Sequence, residues 1–215
     1  RHSLKVILVV DEGKVLTLVA TDGQSVALAQ ANQETEIPKK EVILPRKTVL
    51  EMQSLLKDDD TAIEMRFATN QEKFSFAGME FVSKLVEGKF PDYNRVIPKN
   101  HKNRVTLGRS PLLQSLQRAA ILTSDKFKGV RVNIEPGTLR IASSNAEQEE
   151  AMEELEIDYG GDAIEIGFNV TYLIDALSNM GQEMVTVELQ DTNSSALITV
   201  PDQAGFKYVV MPMRI

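Results

Sequence analysis

Apolar and polar positions alternate along much of the chain, and the period shifts between two and about 3.6. Residues 6–20, VILVVDEGKVLTLVA, read as an apolar strand, a tight turn at Asp11-Glu12-Gly13-Lys14, and a second apolar strand. Residues 129–143, GVRVNIEPGTLRIAS, read the same way around Glu135-Pro136-Gly137. Val9 falls on Val132 and Leu16 on Leu139, each 123 residues apart. The offset persists. VILPRKTVLEMQSLL (42–56) lies over EIGFNVTYLIDALSN (165–179), each a short strand running into an amphipathic helix. AIEMRFATNQEKFSFAG (62–78) lies over VTVELQDTNSSALITVP (185–201), each a hairpin with Thr-Asn at its turn. Ile43 thereby meets Ile166, and Phe74 meets Leu197. The pattern predicts an α+β protein of two structurally similar domains.

The second repeat has a lead-in. Residues 105–123 read as a strand and a helix, with Ser110 the expected N-cap and Pro111 the first helical residue. Leu112, Leu113, Leu116, Ala119 and Ala120 form its apolar stripe. The equivalent segment of the first repeat would precede residue 1. Because the chain opens at Arg1 rather than Met, the expectation is a piece whose first repeat lacks an opening strand and helix. Pro91, Pro98 and the polar run Lys99–Arg104 place a linker near 97–104 and divide the chain into 1–100 and 101–215.

Composition narrows the function. The 215 residues carry a net charge of −7, with 42% hydrophobic and 26% charged positions, as in an ordinary globular protein rather than a disordered tail. No apolar run approaches the roughly 18 residues of a membrane span. The absence of Cys excludes disulfides, thiol nucleophiles and Cys-bound zinc, and points to the cytosol. With only His2 and His101, a histidine-rich metal site is excluded. The acidic balance argues against a protein held on nucleic acid by overall charge, though a local basic surface remains compatible. There is no phosphate loop, dinucleotide fingerprint, nucleophile elbow or HExxH helix. The expectation is therefore no catalytic residue, no cofactor and no metal.

Two acidic clusters keep other readings open. Asp58-Asp59-Asp60 is a solvated turn or a cation site. As a strand, the run from Glu147 to Glu154 would align Glu147, Glu149, Ala151 and Glu153 on one face. Such a row faces a Lys/Arg-bearing partner or guards a sheet edge. These clusters allow a carboxylate-based metal-dependent hydrolase or a purely structural dimerisation module as alternatives. Asn169-Val170-Thr171 matches a glycosylation sequon but reads better as a helix N-cap. Tyr208 to Ile215 is apolar to its end, where chain termini are usually polar. Pro212 cannot donate to a sheet, so the last residues are expected to leave it. Met211 and Met213 suit either core filling or an adaptable binding wall.

The stretches VATDGQSVAL (19–28), PRKTVLEM (45–52), SKLVEGKFPDYNRVIPKN (83–100), AAILTSDKFKGVR (119–131), SNAEQEEAMEE (144–154), IGFNVTYLIDAL (166–177) and YVVMPMR (208–214) resemble the sliding-clamp family of bacterial DNA polymerase III β subunits. The resemblance covers nearly the whole chain in the family's order. It implies the DNA clamp fold, with antiparallel sheets outside and helices on the inner face. The segment would comprise most of the middle domain and all of the C-terminal one. It also implies a bacterial, cytoplasmic, non-enzymatic processivity factor of DNA replication, closing as a head-to-tail homodimer around duplex DNA. This piece could not close the usual ring, and a monomer or non-native assembly is expected of it.

Implied partners are encircled duplex DNA and, through short Gln-Leu-x-Leu-Phe-like motifs, the DNA polymerase III alpha subunit, the clamp loader and repair polymerases. By resemblance, Leu4, Thr21, Gly23, Gln24, Val26, Pro91, Arg95 and Val96 supply one side of a peptide groove between the domains. Asn169, Tyr172, Ser195, Val209, Val210, Met211, Pro212, Met213 and Arg214 supply the other. Ile121 and Leu122 resemble the apolar dimer contact, and Glu147, Glu149 and Glu153 the ionic one. Arg46, Lys47, Arg109 and Arg118 are the candidates to face DNA. Gln24-Ser25 stands where the family often has His-Arg, Asn193 where an aliphatic residue is common, and Ile215 where Leu is common. Somewhat different peptides are expected to suit this rim.

Overall fold

The structure, a computed structural model, describes residues 6–215. The chain forms two compact units: the first runs to Gly23 and from Leu28 to Asp92, the second takes Gln24–Ala27 and Tyr93–Ile215. This division falls after Asp92, ahead of the Lys99–Arg104 run. Tyr93 closes a local turn, its carbonyl accepting from the N–H of Val96 and Ile97 at 3.2 and 3.3 Å.

The first unit holds strand β1 (Val6–Thr21), most of β2 (Ser25–Pro45), helix α1 (Arg46–Leu55), and strands β3 (Glu64–Phe67), β4 (Gln71–Phe76) and β5 (Met79–Lys84). β1 lies beside β2, and β3, β4 and β5 form an antiparallel sheet. The turn expected at Asp11–Lys14 lies inside the extended run β1, which bends at Gly13 with φ of 62°. The expected Thr69-Asn70 turn joins β3 to β4. Ala77 and Gly78 take φ of 49° and 75°, the doubly left-handed pair of a two-residue hairpin, and bring Met79 opposite Phe76. Val9, Val42, Leu44, Met52, Phe74 and Phe76 make the core. Beneath α1, the buried Thr48 and Ser83 hydroxyls share a 2.6 Å hydrogen bond.

Glu72, opposite Ser83 in the β4–β5 register, is fully buried, and neither carboxylate oxygen has a hydrogen-bond partner. Burial pushes its pKa up to about 7, against the pull of Lys40 and with added repulsion from Asp11.

The second unit opens with a 3₁₀ turn (Tyr93–Arg95), then β6 (Asn103–Gly108), α2 (Arg109–Ala120), β7 (Gly129–Glu135), β8 (Thr138–Ser144), β9 (Glu150–Glu156) and β10 (Ile164–Asn169). There follow α3 (Val170–Ser178), β11 (Met184–Leu189), β12 (Ala196–Val200) and β13 (Gln203–Val210). One antiparallel sheet has the order β10-β7-β8-β9. In the other, β6, β11, β12 and β13 are consecutive neighbours, and the opening of β2 continues beside β13. α2 packs on α3, β8 and β9, while α3 packs on β10 and β13. Leu112, Leu116 and Ala119 of α2 are buried with Leu173, Ala176 and Leu177 of α3, the apolar face expected from their spacing.

The repeat is visible in the elements. α1 lies 123 residues before α3 to within a residue or two, and β3, β4 and β5 correspond in order to β11, β12 and β13. Val9, Val132, Ile43, Ile166, Phe74 and Leu197 are all buried; of the fourth matched pair, Leu139 is buried and Leu16 is half-buried against the first unit's core.

Two local expectations change. Ser110 is not the N-cap of α2; the helix begins at Arg109, with Gly108 in the cap position. The neighbouring strand explains this: the Arg109 N–H donates to the Glu183 carbonyl at 2.8 Å, so the first turn needs no side-chain cap there. Pro111 packs so closely on Gly108 that a Cβ there would meet its ring at 3.1 Å. The acidic row of residues 147–153 does not form either. β9 begins at Glu150, and Glu147 and Glu149 sit in a turn whose backbone N–H groups both donate to Asn145 Oδ1. Gln148 there takes φ of 63°. The side-chain oxygen of Asn145 offers the backbone a better partner than an extended strand would.

Candidate functional site

The site is built around the chain's last residues. Val209 and Val210 end β13 as buried partners of Leu197 and Ala196. Past them the ladder stops, because Pro212 has no N–H. The tail is nevertheless pinned at alternate residues. Met211 N–H donates to the Gln24 carbonyl at 3.0 Å, and Met213 N–H to the Gly167 carbonyl at 2.7 Å. Met211, Pro212 and Met213 are half-buried, whereas Arg214 and Ile215 are exposed. An open cleft of about 610 Å³ borders the tail, lined by Pro212 to Ile215 with Arg131, Glu165 and Asn193 among others.

Other predicted residues gather beside this tail within the second unit. Gln24 is exposed and Val26 buried beneath it. Ser195 precedes Ala196, the partner of Val210, and is half-buried. Asn169 ends β10 two residues beyond Gly167 and caps α3 as expected, its Oδ1 accepting from Thr171 N–H at 2.9 Å. Tyr172, almost one turn on, is half-buried against the core. The register thus brings Gln24, Ser195 and Met211 together at one end, and Gly167, Asn169 and Met213 at the other. Val96 is half-buried and Arg95 exposed in the turn that opens this unit. Thr21, Gly23 and Pro91 belong to the first unit; the Thr21 hydroxyl accepts from Gly23 N–H at 3.1 Å, and Gly23 takes φ of 89°. Leu4, like His2, lies outside the described residues.

Two supporting residues went unread in the sequence. His101 Nε2 lies 2.8 Å from the Ser195 carbonyl, tying the site's loop to the segment before β6. Asp191 shapes the turn before Ser195, accepting from Asn193 N–H at 2.8 Å and Ser194 Oγ at 2.9 Å. Those bonds, with the nearby His101, hold its carboxyl below the usual range. The Asp-x-Asn-Ser spacing signals such a turn, but only the fold places it beside Met211.

The predicted DNA-facing residues divide. Arg46 and Lys47 are exposed at the start of α1, with Lys47 near Glu51 at 3.8 Å. Arg109 is turned inward instead, donating to the carbonyls of Gln182 and Leu177 at 2.9 and 3.0 Å. Arg118 forms a two-bond pair with Glu153, at 3.0 and 2.9 Å. That pair raises the guanidinium pKa and lowers that of the carboxyl, chiefly through its hydrogen bonds. Of the predicted dimer residues, Ile121 is 78% exposed and Leu122 half-buried. Glu149 is exposed and accepts from Asn145 Nδ2, whereas Glu153 already holds Arg118.

The acidic alternatives find no convergent geometry. Asp59 accepts from Thr61 N–H at 2.9 Å in an exposed turn, which lowers its pKa. Among the described residues, no group of three His, Cys, Asp or Glu is placed to hold a metal ion. No described helix is long and apolar enough to cross a membrane.

Comparison with known proteins decides the family. The sequence model for the DNA polymerase III beta subunit, C-terminal domain, matches residues 94–214, and that for its central domain matches residues 1–92. The chain belongs to the DNA polymerase III beta subunit family. Beta sliding clamps of Vibrio cholerae and Escherichia coli are each 40% identical over the whole chain, and that of Pseudomonas aeruginosa is 41% identical. The chain spans 59% of the length of each of these relatives. Crystal structures of the Pseudomonas aeruginosa sliding clamp superpose on the whole chain, at 40% identity. One, solved with a ligand, has a TM-score of 0.95 and is covered over 59% of its chain. Another, bound to griselimycin, has a TM-score of 0.94 and is covered over 58%. The mixed α and β architecture with antiparallel sheets is therefore that of the clamp family.

Proposed function

We propose that this chain is the peptide-capturing part of a replicative clamp, a non-catalytic processivity factor. It would hold DNA polymerase III and other partners on the duplex that the assembled clamp encircles. The observation that carries the reading is the twice-pinned tail, which presents half-buried Met211, Pro212 and Met213 between Ser195 and the capped start of α3. Aliphatic and thioether side chains offer an adaptable wall for the Leu and Phe anchors of a short motif. Asn169, Tyr172 and backbone groups orient it. Thr21, Gly23, Pro91, Arg95, Val96 and Leu4 complete the proposed peptide-binding set by family resemblance. A micromolar complex needs only about −8 kcal/mol, which two buried anchors can supply.

Encirclement relieves the protein of tight DNA contacts, which suits its net charge of −7. Arg46 and Lys47 are the proposed DNA-facing cations; the bonds held by Arg109 and Arg118 make them structural first. Ile121 and Leu122, following the helix that packs on edge strand β9, are the proposed apolar contact between subunits, with Glu147 and Glu149 at its rim. The cytoplasm of a bacterium is the proposed location.

The test is a fluorescence-polarisation titration with a labelled Gln-Leu-Asp-Leu-Phe peptide. Saturable micromolar binding is expected, weakened about tenfold or more in Met213→Ala. No binding by folded protein would remove the peptide-capture reading.

A further inference from the structure

Gly167 is the one glycine of the second unit against which another backbone closes to well under contact distance. A Cβ built there would stand 2.3 Å from the Met213 carbonyl oxygen, and 2.8 Å from Cδ1 and Cγ1 of Ile215. Its φ is not in the left-handed region, so space rather than backbone freedom selects glycine. A backbone carbonyl held by its own chain cannot step aside as a flexible side-chain end can. Gly167 also accepts the Met213 N–H at 2.7 Å, so the bare position and the anchoring bond coincide. On the neighbouring strand β7, Gly129 leaves the adjoining space: a Cβ there would meet Ile215 Cδ1 at 3.1 Å. The two glycines together seat the Ile215 side chain against β10 and β7. Among the described residues, the Met213–Gly167 bond is the backbone hydrogen bond that holds the tail beyond Met211.

We propose that Gly167 is a positioning residue for peptide capture: its missing side chain lets the tail close onto β10 and fixes where Met211 and Met213 stand. The inference rests on the peptide-capture reading and adds the residue that sets the geometry of its wall. An alanine at 167 lifts the Met213 carbonyl, breaks the Met213–Gly167 hydrogen bond and unseats Ile215. The peptide then meets a tail that must be ordered on binding, and affinity falls although no side chain of Gly167 is there to contact it.

The experiment compares wild type, Gly167→Ala and Ile215→Ala by titration with the labelled Gln-Leu-Asp-Leu-Phe peptide and by amide hydrogen exchange. Gly167→Ala is expected to bind at least tenfold more weakly. It should lose protection at the Met213 amide while the β7 and β10 amides stay protected. Ile215→Ala, which removes only the outer seat, is expected to weaken binding two- to fivefold with faster exchange at Met213. Folded Gly167→Ala with wild-type affinity and a protected Met213 amide would overturn the proposal. So would an unfolded Gly167→Ala together with wild-type binding by Ile215→Ala, since the glycine would then serve the strand alone. If wild type binds no peptide, peptide capture fails, and the exchange at Met213 still reports whether Gly167 holds the tail.

Discussion

Glu72 is the residue whose chemistry is most at odds with its place. Its carboxyl is fully buried without a hydrogen bond, and burial raises its pKa from 4.5 to about 7. A raised carboxylate pKa means the native state binds more protons than the unfolded state between about pH 4.5 and 7. Stability therefore falls as pH rises through that window, and the full benefit is present below it. Glu72→Gln, which cannot ionise, is expected to stabilise the protein by about 1–2 kcal/mol at pH 8, after allowance for solvent screening. The gain should vanish near pH 4. Urea denaturation at the two pH values checks this, and an equal effect at both would remove ionisation as the cause. The same carboxylate illustrates why a sequence underdetermines chemistry: Gln-Glu-Lys in a hairpin reads as surface, and only the packing of β4 buries the middle residue.

At the scale of elements, the ends of helices carry most of the local logic. α3 starts on a side-chain cap, Asn169, whereas α1 follows Pro45 and α2 follows Gly108 without one. Asn169→Ala is expected to cost about 1 kcal/mol. It should also weaken peptide binding, because the start of α3 flanks Met213. Circular dichroism with urea and the polarisation titration read the two effects separately. Unchanged stability would mean that the strand before α3, rather than the cap, fixes its first turn. The Asn169 cap was legible because it is local: an Asn two residues before a backbone N–H it can reach. The Ser110 cap failed because a long-range bond, Arg109 to Glu183, had already satisfied that end.

For the whole molecule, the prediction concerns DNA. Counterion release scales with the number of cations free to reach phosphates, and this chain is acidic with Arg109 and Arg118 engaged internally. Binding to free linear duplex is expected to be weaker than about 10⁻⁴ M at physiological salt, the weak end of non-specific affinities. Fluorescence anisotropy with a labelled duplex checks it. Micromolar affinity would show that the described surface holds DNA directly instead of relying on encirclement.

The sequence by itself determined the repeat, the alternation of strands and helices, and the family. These rest on apolar periodicity and contiguous strings, which are local properties of the chain. It also marked the tail as unusual, since an apolar end containing Pro212 cannot simply extend a sheet. The tertiary structure alone decided what that tail rests on. Gly167 and Met213 are 46 positions apart, and His101 and Ser195 are 94 apart. No periodicity connects such pairs: Gly167 and Met213 meet because α3 packs on both β10 and β13, and His101 and Ser195 because β6, β11 and β12 are neighbours in one sheet. The same holds for charge. Arg109 and Arg118 look alike along the chain, yet the fold turns one toward the backbone carbonyls of Leu177 and Gln182 and the other toward the Glu153 carboxylate, acceptors that lie 35 to 73 positions away in sequence.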